Sequence, residues 1–210
     1  MMSAKPTLEF FYDCSSPWTY LAFTRMIPMA QELGVDVQWR PILVGGVFNA
    51  VNQELYSKRA SAAANERQFR YYLKDLGDWA WLAGVRIIQP DVFPVNSAKA
   101  MRAAIYAADQ GQEIAWSRAV FEAYWGDNRD ISQPEVLADI ASAIGLDSDA
   151  LAAACDNDTY KAALRANTDD VIARGGYGSP TLFINGDDMY FGNDRLPLVE
   201  ARLKALMGNL

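Results

Sequence analysis

The chain has 210 residues, of which 51% are hydrophobic and 21% are charged, and its formal net charge is −7. This length and balance suit one globular domain, or one domain with a large insertion. The negative charge, and the absence of any basic run longer than a pair such as Lys58-Arg59, argue against nucleic acid as a partner.

The lack of certain residue types and of long apolar runs limits the possible catalytic chemistry and the cellular location. The chain has no histidine and only two cysteines, Cys14 and Cys155, which form no C-x-x-C pair. We therefore expect no metal cofactor, no histidine triad and no local dithiol redox pair. No apolar run approaches the length of a membrane span and no signal core opens the chain, so we expect a soluble, cytoplasmic protein with no membrane partner. In a reducing cytosol two free thiols are favoured over a disulfide between the cysteines.

In chain order, the first pattern is a strand, a tight turn and a helix. Leu8–Tyr12 is an apolar run without alternation, which is typical of a buried central strand. Pro17 opens a helix that we predict over 17–33, closed by Gly34. Ser16 lies on the turn, where the helix dipole and main-chain N–H groups without intrahelical partners stabilise an anion. The alternative is that Ser16 only caps the helix.

The following residues predict a second strand and then a long helical segment. Residues 35–40 alternate apolar and polar, which indicates a strand parallel to the first in a βαβ unit. The stretch 45–52, which begins Gly45-Gly46, is typical of a loop that leaves the sheet. The helical periods that follow lie at 64–83, 97–109, 111–125, 133–144, 149–155 and 159–173. We expect Ser132 to cap the helix at 133–144, with Glu135 at N3.

The sheet resumes near the C-terminus. Residues 181–184 and 189–191 flank Asn185-Gly186, a strong turn signal, and predict an antiparallel hairpin. A last helix is predicted over 194–207. The order βαβ, helical block, ββα indicates an α/β protein with a thioredoxin-like fold and an all-helical insertion after the second strand. The corresponding domains are a thioredoxin-like domain at 1–50 and 175–210, and an inserted all-helical domain at 51–174.

Separated motifs along the chain resemble one known family. Ser16-Pro17-Trp18-Thr19 is similar to the C-P-x-C turn of thioredoxin-fold oxidases, with Ser and Thr in place of both cysteines. Gly178-Ser179-Pro180-Thr181 resembles the cis-proline loop that faces that turn. The stretch from Phe191 to Leu196 is close to W-G-x-D-R-L, and Arg40–Phe48 and Pro94–Ser97 agree too. The ordered set spans essentially the whole chain and resembles 2-hydroxychromene-2-carboxylate isomerases and kappa-class glutathione transferases, which have a DsbA-like thioredoxin fold.

The resemblance implies glutathione as cofactor, a small aromatic substrate and a homodimer. Ser16 matches the serine that hydrogen-bonds the glutathione sulfur. Asn52 matches an asparagine near the bound glutathione and substrate. The loop at 49–63 holds Lys58 and Arg59 where a lysine for the substrate carboxylate is expected nearby.

The remaining glutathione contacts that the resemblance implies lie near the C-terminus. Ser179 stands before Pro180, at the position whose main chain pairs with the glutathione peptide like an added strand. Asn193 and Asp194 match the pair that receives the γ-glutamyl end. Two positions depart from the family pattern, because Ser179 replaces the usual Val and Thr19 replaces the more usual Ser.

The predicted chemistry follows from a serine with no histidine beside it. Such a hydroxyl is a poor nucleophile but a good hydrogen-bond donor, and it would stabilise a glutathione thiolate. The resemblance implies a glutathione-dependent cis/trans isomerase of the 2-hydroxychromene-2-carboxylate type, in aromatic-compound degradation. The alternatives are a kappa-like glutathione transferase or peroxidase acting on small electrophiles, and a non-catalytic thioredoxin-fold binding protein.

Cys14 and the aromatic side chains have competing interpretations. Cys14 is the alternative nucleophile, but Ser16 is the residue immediately before Pro17 at the helix start, so a buried thiol is favoured for Cys14. Helical spacing of the aromatic residues favours core packing over ligand contact. These aromatic residues are Tyr71, Tyr72, Trp79, Trp81, Trp116, Phe121, Tyr124 and Trp125. An aromatic substrate also needs an apolar wall, for which the helical block is the candidate.

Overall fold

A four-stranded mixed sheet forms the base of the fold. The computed structural model describes residues 5–54 and 65–208, and the strands in these ranges have the order β2-β1-β3-β4. They are β1 (Leu8–Tyr12), β2 (Val37–Pro41), β3 (Thr181–Ile184) and β4 (Asp188–Phe191). All five residues of β1 are buried, the charged Glu9 included, which confirms the central strand predicted from this mainly apolar run. Strand β1 is parallel to β2 and antiparallel to β3.

Helices occupy most of the remaining described residues. They are α1 (Pro17–Leu33), α2 (Val44–Val51), α3 (Glu66–Ala83), α4 (Ala98–Asp109), α5 (Glu113–Phe121), α6 (Pro134–Ala143), α7 (Ser148–Asp156), α8 (Asp158–Ala173) and α9 (Leu196–Leu206). A π-helical turn, Glu122–Gly126, continues α5, and a 3₁₀ turn, Asn193–Arg195, precedes α9. Apart from α2, the predicted order of elements is confirmed over the described residues. None of these helices combines the length and apolarity that crossing a bilayer requires.

Two turn predictions are confirmed by backbone conformation. Gly34 ends α1 in the left-handed conformation, with φ of 64°. Asn185 and Gly186 have φ of 52° and 91°, as a tight hairpin turn between β3 and β4 requires.

The loop predicted at 45–52 is wrong, because most of this stretch is helix α2. The two adjacent glycines disfavour a helix, but tertiary contacts outweigh that preference. The buried carboxylate of Asp13 accepts a hydrogen bond from the Val44 N–H at 2.8 Å, at the first turn of α2. Val47 and Phe48 are buried against the rest of the fold.

The predicted N-cap at Ser132 is also wrong. Helix α6 has Gln133 as its N-cap residue and Pro134 at its first position, with no side-chain cap hydrogen bond. The Ser132 hydroxyl instead donates to the Asp130 carboxylate at 2.7 Å. Because Asp130 offers a charged acceptor within the preceding turn, it competes successfully with the helix end.

The aromatic side chains divide between core and surface. Trp116, Phe121, Tyr124 and Trp125 are at most 2% exposed, which confirms the prediction of core packing for them. Tyr71 and Trp81 are 66% and 82% exposed, so that prediction is wrong for these two residues. Helix α3 buries only one face, and these side chains lie off that face. Both cysteines are buried free thiols.

One carboxyl group is expected to make folding stability depend on pH. Glu113, at the start of α5, borders a groove of about 750 Å³ and accepts a hydrogen bond from the Tyr12 hydroxyl at 3.2 Å. Burial raises the pKa of Glu113 from 4.5 to about 8. At a pH between these two values, Glu113 is protonated in the folded protein but ionised in the unfolded chain. The free energy of unfolding therefore falls as the pH rises through that window.

The Glu113→Gln variant tests this dependence. Glutamine keeps an oxygen for Tyr12 but cannot ionise, so the free energy of unfolding should lose a slope of up to about 1.4 kcal/mol per pH unit. Urea denaturation at a series of pH values between 4.5 and about 8 measures the slope. Glu135→Gln, an exposed position in the first turn of α6, is the control and should keep the wild-type slope. An unchanged slope in the Glu113 variant would contradict the assignment.

Candidate active site

Ser16 lies where β1 ends and α1 begins. It is the N-cap residue of α1, with φ of −110° and ψ of 123°, and Pro17 follows at the first helical position. Its Oγ accepts the Thr19 N–H at 3.3 Å and donates to the Ser179 carbonyl at 3.3 Å. The hydroxyl therefore caps the helix and also faces the loop before β3. Stabilisation of an anion by Ser16 stays a prediction.

The facing loop contains a cis peptide bond between Ser179 and Pro180, as the resemblance implies. The Ser179 hydroxyl accepts the Asp13 N–H at 3.0 Å. The loop can approach β4 closely because Gly178 lacks a side chain, since a Cβ there would lie 2.7 Å from the Phe191 ring. These contacts hold the Ser179 main chain opposite the first turn of α1.

A cavity of about 520 Å³ opens at this junction. It is lined by Ser16, Asn52 and Ser179, so three of the predicted site residues are brought together. Aromatic rings form much of its wall, and the side chains concerned are Trp18, Phe48, Phe93, Tyr177 and Phe191. Of these only Phe93 belongs to the predicted helical segment at 51–174, so the apolar wall comes mainly from the predicted thioredoxin-like part, with side chains from α1, α2, β4 and the loop before β3. The larger groove beside Glu113 contains none of the predicted site residues.

The other predicted residues lie next to this cavity rather than on its lining. The Pro180 carbonyl accepts the Gly192 N–H at 3.1 Å, which attaches the turn before α9 to the cis-proline loop. In that turn Asn193 is buried, and its Oδ1 has no hydrogen-bond partner among the described residues. Asp194 is paired with Arg195 at 2.7 Å. Lys58 and Arg59 lie outside the described residues.

Asp13 is the residue of this site that sequence reasoning missed. Its carboxylate is fully buried and accepts hydrogen bonds from the Ser15 N–H at 2.9 Å, the Val44 N–H at 2.8 Å and the Ser97 hydroxyl at 3.0 Å. Burial raises the pKa of Asp13, and these hydrogen bonds oppose that rise. Three segments of the cavity wall are thereby attached to one carboxylate. An aspartate at the end of an apolar strand was the only available signal.

Cys14 is a packed thiol, as predicted. Its side chain is 1% exposed, and burial raises the pKa of the thiol well above its usual range. Its carbonyl accepts the Trp125 indole N–H at 2.9 Å, which attaches the helical segment to this turn. Because a nucleophilic cysteine needs its thiolate form and access to the substrate, Cys14 is not suited to that role.

The fold and this junction of helix N-terminus with cis-proline loop define the class of protein. Residues 7–204 match the family model for a DSBA-like thioredoxin domain, and the chain belongs to that family. It is 30% identical to the 2-hydroxychromene-2-carboxylate isomerase of Pseudomonas putida, over 95% of this chain and 95% of the relative. It is 24% identical to glutathione S-transferase kappa 1 of Rattus norvegicus, over 95% and 91% of the two chains.

A solved structure gives the same result. A 2-hydroxychromene-2-carboxylate isomerase structure matches with a TM-score of 0.81 at 27% identity, covering 95% of each chain. The resemblance drawn from the separated motifs and the thioredoxin-like fold are therefore both confirmed.

Proposed function

We propose that the chain is a glutathione-dependent cis/trans isomerase of the 2-hydroxychromene-2-carboxylate type, acting on a small aromatic substrate in aromatic-compound degradation. The observation that carries this proposal is the Ser16 hydroxyl at the N-terminus of α1, on an aromatic-walled cavity and opposite the Ser179-Pro180 loop. The similarity to proteins named for this activity supports it.

The residues around Ser16 fit a peptide thiol. Ser179 would pair its main chain with the peptide, beside Pro180, and Asn52 would lie close to the cofactor and substrate. The buried Asn193 Oδ1, which lacks a protein partner among the described residues, can accept a hydrogen bond from an ammonium group, and Asp194 adds negative charge beside it. Because Asn193 is buried, the half-exposed Asp194 carboxylate is the member of this pair that a γ-glutamyl amino group would reach first.

When bound, glutathione supplies a thiolate that adds reversibly to a conjugated carbon, so that a double bond becomes a single bond that can rotate. The chain's own part is electrostatic. The Ser16 O–H donates to the sulfur, and the dipole of α1 adds a positive potential at the same point. The aromatic wall, with Trp18 and Phe93, gives a planar substrate an apolar surface and excludes water. Ser16 itself attacks nothing, because no histidine in the chain can take its proton.

The proposal extends to the organisation of the protein. We assign glutathione binding to a thioredoxin-like domain at 1–50 and 175–210, and to 51–174 the role of an inserted helical domain that completes the site. A homodimer is the form that the family resemblance implies, and a cytoplasmic location is the expectation from the sequence.

Isomerisation with and without glutathione tests the proposal. We expect turnover to depend on glutathione and to leave its total concentration unchanged. S-methylglutathione is the matched control, because it keeps the peptide but has no ionisable sulfur, and it should bind without supporting turnover. Turnover in the absence of any thiol would refute the proposal.

A kappa-like glutathione transferase or peroxidase is the second candidate, favoured by the similarity to the kappa-class enzymes. The same thiolate would then attack an electrophile that carries a leaving group. Conjugation of a chloronitroarene, with glutathione consumed in proportion to product, would favour this candidate. Rapid isomerisation without consumption of glutathione would favour the first.

A further inference from the structure

Ser16, Thr19 and Ser179 form a closed ring of hydrogen bonds. The Ser16 hydroxyl donates to the Ser179 carbonyl at 3.3 Å. The Ser179 and Thr19 hydroxyls are 2.8 Å apart, and the Thr19 N–H returns to Ser16 Oγ at 3.3 Å. The ring joins the first turn of α1 to the cis-proline loop, two segments 160 residues apart in the chain.

The sides of this ring differ in strength. The bond between the Thr19 and Ser179 hydroxyls is buried and has an ordinary length of 2.8 Å, whereas both bonds of Ser16, at 3.3 Å, are longer than usual. The Ser179 hydroxyl is fixed further because it accepts the Asp13 N–H at 3.0 Å. The Thr19–Ser179 hydroxyl pair is therefore the more strongly bonded side of the ring, which we call its firm side. The Ser16 O–H can rotate to another acceptor with little loss of hydrogen-bond energy.

Each of the two pair members acts on Ser16 through a different atom. Thr19 offers its N–H to Ser16 Oγ, which occupies one lone pair and fixes the direction of the hydroxyl oxygen. Ser179 presents its carbonyl as the resting acceptor of the Ser16 proton. A ligand N–H that donates to the Ser179 carbonyl would compete with the Ser16 hydroxyl for that acceptor. The Ser16 proton would then be free to donate to another acceptor on the cavity side.

We propose that Thr19 and Ser179 are positioning residues, whose buried hydroxyl pair holds Ser16 so that its proton turns from the Ser179 carbonyl to the sulfur of a bound peptide thiol. This inference rests on the proposed function, because it assumes that glutathione is the ligand. It adds that the acidity of the bound sulfur depends on two hydroxyls that do not touch it.

The Thr19→Val variant tests the inference. Valine keeps the shape of threonine and leaves the Asp13–Ser179 bond intact, but it removes the firm side of the ring. We expect the pKa of the bound glutathione sulfur, followed by thiolate absorbance, to rise by about one unit, equivalent to a tenfold loss of thiolate stabilisation. Thr19→Ser keeps the hydroxyl and should restore the wild-type value.

A matched control separates positioning from loss of helix stability. The hydroxyl of Thr24, also on α1, donates to the Tyr20 carbonyl of the same helix at 3.0 Å. Thr24→Val should therefore leave the pKa of the sulfur unchanged, whatever it does to the melting temperature. Ser179→Ala supplies a second variant, with an expected shift in the same direction as that of Thr19→Val.

The outcomes distinguish this inference from the proposed function. Calorimetry on the wild-type protein comes first, and failure to bind glutathione would overturn both. Binding with a depressed sulfur pKa that Thr19→Val and Ser179→Ala leave unchanged would overturn only the positioning role. A shift in the Thr19→Val variant that Thr19→Ser reverses would support it.

Discussion

Replacing Ser16 with alanine is expected to lower kcat/KM for glutathione-dependent isomerisation by about 10- to 150-fold. A hydrogen bond to a charged group contributes about 1.5–3 kcal/mol, and this free energy appears in the rate when the thiolate reacts. The pKa of the bound sulfur should rise by about one to two units for the same reason. The effect is finite because the dipole of α1 remains after the hydroxyl is removed.

Ser16 is also the N-cap of α1, so the same change should reduce folding stability by about 1 kcal/mol. A second N-cap serves as the control for that loss. Asn157 caps α8 by accepting the Thr159 N–H at 2.8 Å, far along the chain from the cavity. Asn157→Ala should reduce stability by a similar amount but leave the sulfur pKa and the rate unchanged. If Ser16→Ala also leaves both unchanged, a sulfur held by Ser16 cannot explain the activity.

The parts of this molecule that depend on local pattern could be predicted from sequence. The mainly apolar run of β1, the Pro17 start of α1 and the Asn185-Gly186 turn each determine their structure within a few residues. Ser16 and Ser179 were recognisable because each adjoins a proline that marks an element boundary. Their opposition across the cavity followed from the resemblance rather than from the pattern.

The parts that depend on distant contacts could not be predicted. The acceptor for Val44 is Asp13, 31 residues earlier, so the glycines after Val44 indicated a loop where a helix forms. The hydrogen bond from the Ser97 hydroxyl to Asp13 joins residues 84 apart in the chain, and no local sequence pattern predicts it. Trp81 was predicted to pack in the core but is exposed. Helical spacing alone does not show which face of α3 packs against the rest of the fold.

Asp13→Ala is expected to be the most destabilising single change in the site, by about 4 kcal/mol. The variant leaves two buried donors, from Val44 and Ser97, and the partly buried Ser15 N–H without an acceptor. Each orphaned donor costs about 1–3 kcal/mol, and the costs are not fully additive. Urea denaturation measures the loss, and the exposed Asp36→Ala change, expected within about 0.5 kcal/mol of wild type, is the control.

The same change should act on binding, because the three donors belong to separate segments of the cavity wall. Glutathione affinity measured by calorimetry on the folded fraction should fall, whereas Asp36→Ala should leave it unchanged. If Asp13→Ala does not fold, Asp13→Asn retains one accepting oxygen and should give a smaller loss of both stability and affinity. An Asp13→Ala protein with wild-type stability and affinity would mean that the wall segments hold their places without this carboxylate, and that Asp13 does not organise the site.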